Sequence, residues 1–110
     1  MAIGASCAAN PHDVADQAQI IFASLPTPDV VAKVALGEHG VIHGSQVRVF
    51  VDLSTTGPRT AKIVATALAE KGIVAVDCPV SGGAAGAQKG TLALMVACPS
   101  GTYDELLPIL

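Results

Sequence analysis

Runs of apolar residues recur along the chain and are separated by stretches with turn chemistry or helical periodicity. Three runs, at residues 19–25, 47–53 and 73–77, consist mostly of Val, Ile, Leu, Phe and Ala, and a fourth lies at residues 91–98. Near-continuous apolar runs of this length are typical of strands buried on both faces of a parallel sheet. The pattern therefore predicts four strands, and residues 4–7 resemble the end of a shorter one.

Two helices are predicted from their start signals. Asn10 and Thr27 each stand directly before a proline. A capping side chain followed by a ring that already has a helical φ favours the start of a helix. We expect helices over residues 11–17 and 28–36, with Gly37 ending the second. The valines of the second helix share one face: Val30, Val31 and Val34.

Two further helices are expected later in the chain. The first should run over residues 58–71 and stop at Gly72, since glycine is the usual C-terminal stop of a helix. Its apolar stripe is predicted to include Ile63, Ala67 and Leu68. Thr102 and Glu105 have the spacing of a capping box and predict the start of a last helix. Residues 38–45 and 78–90 are expected to be glycine-containing loops.

Strands that alternate with helices predict an α/β fold, a Rossmann-like doubly wound and mostly parallel sheet. The chain has 110 residues, of which 51% are hydrophobic and 14% charged, so one folded domain over residues 1–110 fits better than disorder. Aromatic residues make up only 3%, so the core must be built from Ala, Val, Ile and Leu.

Charge and hydropathy exclude several classes of protein. The net charge is -3 and the six basic residues are scattered, so we expect no nucleic-acid partner. The chain has no apolar stretch of the ~20 residues that a membrane-spanning helix needs. Three cysteines without close pairs predict small buried side chains in a reducing compartment, which is the cytoplasm, or a mitochondrion if a targeting segment is missing.

Candidate chemistry lies where the predicted strands end, because ligands of doubly wound sheets sit beyond the carboxyl ends of the strands. Ser81, Gly82 and Gly83 follow the third run, and consecutive glycines let backbone N–H groups approach a carboxylate or phosphate closely. A plain flexible turn explains the same spacing. Ser81 as an acyl nucleophile is disfavoured, because no G-x-S-x-G motif surrounds it.

Two other strand ends offer weaker signals. Ser54 and Thr55 carry hydroxyls that suit a cofactor amide or ribose, or that simply cap the following helix. Leu25 and Pro26 form a rigid apolar ledge for a planar ring, or merely terminate a strand. His39 and His43 are four residues apart, but neighbouring glycines disfavour a metal-binding helix and no third ligand is evident, so no metal is expected.

These strand ends, in this order, resemble the β-hydroxyacid dehydrogenase family, which includes 3-hydroxyisobutyrate dehydrogenase and, more distantly, 6-phosphogluconate dehydrogenase. Residues 77–96 (DCPVSGGAAGAQKGTLALMV) are similar to the family signature D-x-P-V-S-G-G-x-x-G-A-x-x-G-T-L-x-x-M-V. Residues 51–60 (VDLSTTGPRT) are similar to its D-x-S-T-x-x-P-x-T segment. The resemblance covers nearly the whole chain.

The resemblance implies an NAD or NADP cofactor and a small 3-hydroxy acid or semialdehyde acid as substrate. It implies that Ser81, Gly82 and Gly83 hold the substrate carboxylate and that Thr55 lies beside the nicotinamide ribose or ring. Leu25 and Pro26 would contact the cofactor near its adenosine or pyrophosphate end. Hydride would pass between the nicotinamide and the carbon that bears the 3-hydroxyl.

Three features of the family pattern are missing. The sequence has no G-x-G-x-x-G phosphate turn, and no G-x-x-x-K-x-x-N stretch that would supply the catalytic lysine. Cys98 and Pro99 stand where the family usually has glycines, and Lys89 occupies a variable position of the signature. We therefore expect a partial NAD(P)-binding domain without its first strand or a C-terminal helical domain, and with no catalytic residue of its own.

Three functions follow from this pattern. The chain is expected to be a dehydrogenase piece that is inactive alone. The first alternative is a non-catalytic module for a nucleotide or carboxylate. The second is an interaction protein that pairs through an exposed sheet edge, because a missing first strand would leave residues 19–25 at an apolar edge. The same edge predicts a marginally stable or oligomeric chain.

Overall fold

A computed structural model describes residues 7–81, 83–90, 93–97 and 100–109. Its centre is a parallel sheet in which β1 (Ile20–Ala23), β2 (Val49–Asp52) and β3 (Val74–Asp77) lie in the order β1-β2-β3. The strands form within the three apolar runs predicted from the sequence, and their parallel pairing confirms the α/β class. Each is shorter than its run, because the flanking residues enter the connecting turns.

Helices cover the two faces of this sheet unequally. The first face carries α1 (Pro11–Gln17), α2 (Pro28–Leu36) and α3 (Pro58–Ala69), together with a 3-10 turn at Val41–His43. The second face carries α5 (Ser100–Leu106). Successive side chains of a strand point to opposite faces, so Phe50 joins the first core while Val49 and Val51 join the second.

The predicted caps are confirmed. The Asn10 side chain accepts a hydrogen bond from the Asp13 N–H at 2.8 Å, and Thr27 accepts one from Val30 at 3.2 Å. Gly72 follows α3 with a φ of +75°, and the Ile73 N–H donates back to the Leu68 carbonyl. This is the left-handed turn that glycine adopts without steric cost, so it ends the helix as expected.

Three predictions about the second half of the chain need correction. Residues 78–90 are not one loop, since they contain the short strand β4 (Val80–Ser81) and the helix α4 (Gly83–Lys89), whose alanines favour a helix. Of the fourth run, the structure describes residues 93–97, which form β5 (Ala93–Leu94), paired antiparallel with β4, and a bridge between Ala97 and Asp77. The predicted last helix is confirmed as α5, but it begins at Ser100 and not at the predicted capping box, so Thr102 lies inside it.

Two burial predictions also fail. Ile63 is 54% exposed, and the buried residues of α3 are Val64 and Leu68, because the sheet lies on the side of the helix that those two residues face. Cys78 is buried as expected, but Cys7 is exposed. The predicted strand end at residues 4–7, apart from Cys7, and the predictions for Cys98 and Pro99 lie outside the described residues.

Strand β1 forms one border of the parallel sheet in the described part of the chain. The expected apolar edge is present there, since Phe22 is 39% exposed. A cavity of about 330 Å³ beside this border is lined mainly by apolar side chains, among them Val14, Ile21, Phe22 and Leu25.

Candidate functional site

The three parallel strands end at the same level, so the loops that follow them share one edge of the sheet. Ala23 pairs with Asp52, and Asp52 pairs with Asp77, in the last register positions of the strands. The backbone pairing continues for one residue more, because the Leu53 N–H donates to Ala23 at 2.7 Å and the Cys78 N–H donates to Asp52 at 2.8 Å. This edge is where ligands bind in doubly wound sheets.

The loop between β2 and α3 is held by the carboxylate of Asp52. One carboxylate oxygen accepts the Ser54 N–H at 2.9 Å, and the other accepts the Thr56 hydroxyl. Asp52, Ser54 and Thr56 are each at most 7% exposed. A carboxylate that accepts two hydrogen bonds replaces part of the hydration it loses on burial, so its charge is tolerated there.

Ser54 connects this loop to the one that follows β1. Its Oγ accepts the Leu25 N–H at 2.7 Å, across 29 positions of sequence. The interpretation of Ser54 and Thr55 as helix caps is wrong, because Gly57 occupies the N-cap of α3 and no side chain caps that helix. Gly57 has a φ of +83°, which explains why glycine stands at that turn.

The residues proposed from the sequence are therefore distributed as follows. Pro26, Thr55 and Ser81 are exposed, and Leu25 is half-buried against the first core. Gly83 is the first residue of α4. The Leu25 and Thr55 loops are joined through Ser54, whereas Ser81 lies after the end of β3 on β4, which pairs with β5 in a separate two-stranded sheet. Gly82 lies outside the described residues.

Asp77 and Asp52 are adjacent acidic residues at this edge. Burial, and secondly the charge of Asp52, raise the pKa of Asp77 above its ordinary value. Both residues line a cavity of about 210 Å³ between the sheet and α3, whose other lining residues are apolar. Neither aspartate was singled out from the sequence. The available signal was that each one closes an apolar strand, where a charge is unusual without a specific partner.

No metal centre is found within the part of the chain that the structure describes, where no group of three or more potential ligands occurs. The rings of His12 and His43 lie edge to face at 5.9 Å, and His39 contributes its backbone carbonyl to the His12 N–H. Among the described helices, none is both long and apolar enough to cross a membrane.

Comparison with known proteins identifies the family of the chain. The family profile described as the NAD binding domain of 6-phosphogluconate dehydrogenase matches residues 1–110. The chain is 40% identical to 2-(hydroxymethyl)glutarate dehydrogenase from Eubacterium barkeri over 111 residues, which cover 100% of the chain and 37% of that enzyme. It therefore spans little more than a third of the relative's length.

Two solved structures have the same fold. Psf3 in complex with NADP+ and 2-OPP aligns with a TM-score of 0.85 at 28% identity, covering 96% of this chain and 38% of that one. The 3-hydroxyisobutyrate dehydrogenase of Mycobacterium tuberculosis with L-serine aligns with a TM-score of 0.79 at 31% identity, covering 91% and 33%. The chain belongs to the family of NAD-binding domains of 6-phosphogluconate dehydrogenase and its 3-hydroxyisobutyrate-dehydrogenase-like relatives.

Proposed function

We propose that the chain forms part of the cofactor site and the substrate-acid loop of an NAD(P)-dependent 3-hydroxyacid dehydrogenase. The observation that carries this proposal is the common edge, at which the loops after β1, β2 and β3 follow strands in register. Exposed side chains on those loops fit an extended ligand that crosses several strand ends. Bound NAD or NADP would supply the hydride acceptor or donor.

The cofactor would contact the first two loops. Pro26 and the half-buried Leu25 offer an apolar ledge, which suits the adenosine or pyrophosphate end of the molecule. Thr55 offers an exposed hydroxyl for the nicotinamide ribose or ring. The Leu25 N–H is already bonded to Ser54, so that loop would contact the cofactor through its side chains and remaining backbone groups.

The substrate acid would bind at Ser81, Gly82 and Gly83. The Ser81 side chain is exposed, and Gly83 is the first residue of the short helix α4. Exposed hydroxyl and backbone N–H groups are suitable donors to a carboxylate. The names of the relatives support this substrate class, because 2-(hydroxymethyl)glutarate, 3-hydroxyisobutyrate and serine all carry a carboxylate and a nearby hydroxyl.

We further propose that the chain alone does not turn over substrate. The reaction needs a group that moves a proton at the substrate hydroxyl, and the lysine motif of the family does not occur in this sequence. Lys89 ends α4 as an exposed side chain and would remain solvated. Because the chain covers 37% of its relative, the missing group would belong to another part of the enzyme.

Titration calorimetry and a dehydrogenase assay test this proposal together. We expect the chain to bind NAD+ or NADP+ saturably and to show no NAD(P)H oxidation with semialdehyde acids. Thr55→Val should weaken cofactor binding, whereas Thr66→Val, an equivalent change at an exposed position of α3, should leave it unchanged. Turnover by the chain alone would contradict the inactivity, and absence of binding to either nucleotide would contradict the cofactor site.

Two alternatives have distinct outcomes. A non-catalytic module for nucleotides or carboxylates would bind NAD(P)+ or a small acid, but adding the rest of a family enzyme would restore no turnover. Pairing through the β1 edge is favoured by the exposed Phe22 and the adjoining apolar cavity. Sedimentation distinguishes it, since a concentration-dependent oligomer that Phe22→Lys returns to monomer would support edge pairing.

A further inference from the structure

We propose that Asp52 is a positioning residue, whose buried carboxylate fixes the Leu25–Pro26 loop and the Thr55 loop as one rigid unit for the cofactor. The role of the cofactor as ligand rests on the proposed function. The coupling of the two loops rests only on hydrogen bonds within the chain and is testable without any ligand.

The Asp52 carboxylate holds the loop between β2 and α3 through two hydrogen bonds. Its two oxygens accept from Ser54 and Thr56, the residues on either side of Thr55. Both neighbours are buried while Thr55 is exposed. Fixing the backbone on both sides of Thr55 restricts the directions in which its side chain can point, so the hydroxyl is oriented before a ligand arrives.

The loop after β1 is held in turn through Ser54. The Ser54 whose N–H is held by Asp52 also uses its Oγ to accept the Leu25 N–H at 2.7 Å. Loss of the Asp52 carboxylate would free the Ser54 backbone and thereby move the acceptor of Leu25. Hydrogen bonds therefore connect Asp52 to Ser54 and Ser54 to Leu25, which adjoins Pro26.

Burial gives the reason for a carboxylate at this point. A charge at an apolar strand end is costly, and an apolar side chain of similar size would serve packing at least as well. Only a side chain with two polar terminal atoms can hold the Ser54 N–H and the Thr56 hydroxyl at once in this geometry. Asparagine keeps that shape, since its oxygen can accept from Ser54 while its amide donates to the Thr56 hydroxyl oxygen.

Amide hydrogen exchange in the ligand-free chain tests the coupling. In Asp52→Ala we expect the Leu25 and Ser54 amides to exchange about tenfold faster or more, as loss of a charge-assisted hydrogen bond implies. The Cys78 amide is the internal reference, because it donates to the backbone oxygen of Asp52 and not to its carboxylate. Its exchange should be unchanged, and Asp52→Asn should restore the slow exchange of Leu25.

A second variant keeps the test valid if Asp52→Ala does not fold. Ser54→Ala removes only the acceptor of Leu25, so it should speed exchange at Leu25 while the amide at position 54, still bonded to Asp52, stays slow. A Leu25 amide that exchanges at the wild-type rate in Ser54→Ala, or in a folded Asp52→Ala chain, would overturn the coupling.

Cofactor titration completes the test. We expect Asp52→Ala to weaken NAD(P)+ binding about tenfold or more, and Asp52→Asn to bind within about twofold of wild type. Weak binding that asparagine does not recover would overturn the positioning role. If the wild-type chain binds neither nucleotide, the proposed function and the role toward the cofactor both fall, whereas the exchange data decide the loop coupling independently.

Discussion

Within the described part of helix α5, Leu106 is the buried side chain that packs against the second face of the sheet, which makes this packing measurable. Leu106 is fully buried, and it clusters with Val49, Val51, Val76 and Cys78. The next residue, Leu107, is 52% exposed. Adjacent leucines at the end of a short helix therefore have opposite environments, so the same Leu→Ala change at each position isolates the effect of burial.

Replacement of Leu106 by Ala should cost about 2–5 kcal/mol, because the lost transfer free energy adds to the cavity left behind. This is a large part of the about 5–15 kcal/mol that stabilises an ordinary domain. With a urea m-value of about 1–3 kcal/mol/M, a loss of about 3 kcal/mol lowers the unfolding midpoint by about 1–3 M. Circular dichroism during a urea titration measures that shift.

Leu107→Ala is the matched control and should change stability by no more than about 0.5 kcal/mol. Equal effects of the two substitutions would refute the packing described for α5. So would a Leu106→Ala chain with the wild-type midpoint and slope, because a fully buried leucine cannot be truncated without loss of contacts.

For three further substitutions, the direction of the change in stability can be predicted. The pKa of Asp77 is raised in the folded chain, so the wild type loses stability as the pH rises and Asp77 becomes ionised. Thermal melts should therefore show that the stability of Asp77→Asn relative to wild type increases between acid and neutral pH. Gly44→Ala would bring a Cβ to 2.1 Å from that of Ala15, so we expect a loss of about 1–3 kcal/mol by urea titration. Arg48 lowers the pKa of Glu105, so the exposed ion pair should stabilise the fold above the ordinary glutamate pKa and lose this effect on acidification. Glu105→Gln should remove this pH dependence of stability, and added salt should weaken the effect of the pair in wild type.

Each of these has an outcome that contradicts it. Parallel pH–stability curves for wild type and Asp77→Asn would contradict the raised pKa, and a pH- and salt-independent effect of Glu105→Gln would contradict the ion pair. Gly101→Ala is the control for the glycine substitution, because it lies in α5 and a Cβ added there would meet nothing within 4 Å. It should gain up to about 1 kcal/mol from helix propensity, and a loss equal to that of Gly44→Ala would contradict the steric argument.

The sequence was sufficient to predict the parts of the fold that local chemistry determines. Asn10, Thr27 and Gly72 act at helix ends as expected, since capping depends on a few neighbouring backbone groups. The three parallel strands were predictable because buried strands have continuous apolar runs. The face of α3 was not, because Ile63 and Val64 are both apolar and only the position of the sheet selects Val64.

The candidate site was predictable to the level of loops. Strand ends identified the segments of Leu25, Thr55 and Ser81, because parallel strands share a carboxyl edge. The bond from Leu25 to Ser54 joins residues 29 positions apart, and no local pattern encodes such a contact. The roles of Asp52 and Ser54 as internal hydrogen-bond partners therefore required the three-dimensional structure, whereas a motif alone presented Ser54 as a candidate ligand contact.

The measurement that tests the shared cofactor edge most directly is a map of amide NMR shifts during titration of the chain with NAD+ and NADP+. We expect the largest shifts at Leu25 and Thr55, with little change at Thr66 on the outer part of α3. Shifts concentrated away from the carboxyl ends of the strands, or none with either nucleotide, would contradict a cofactor site at this edge.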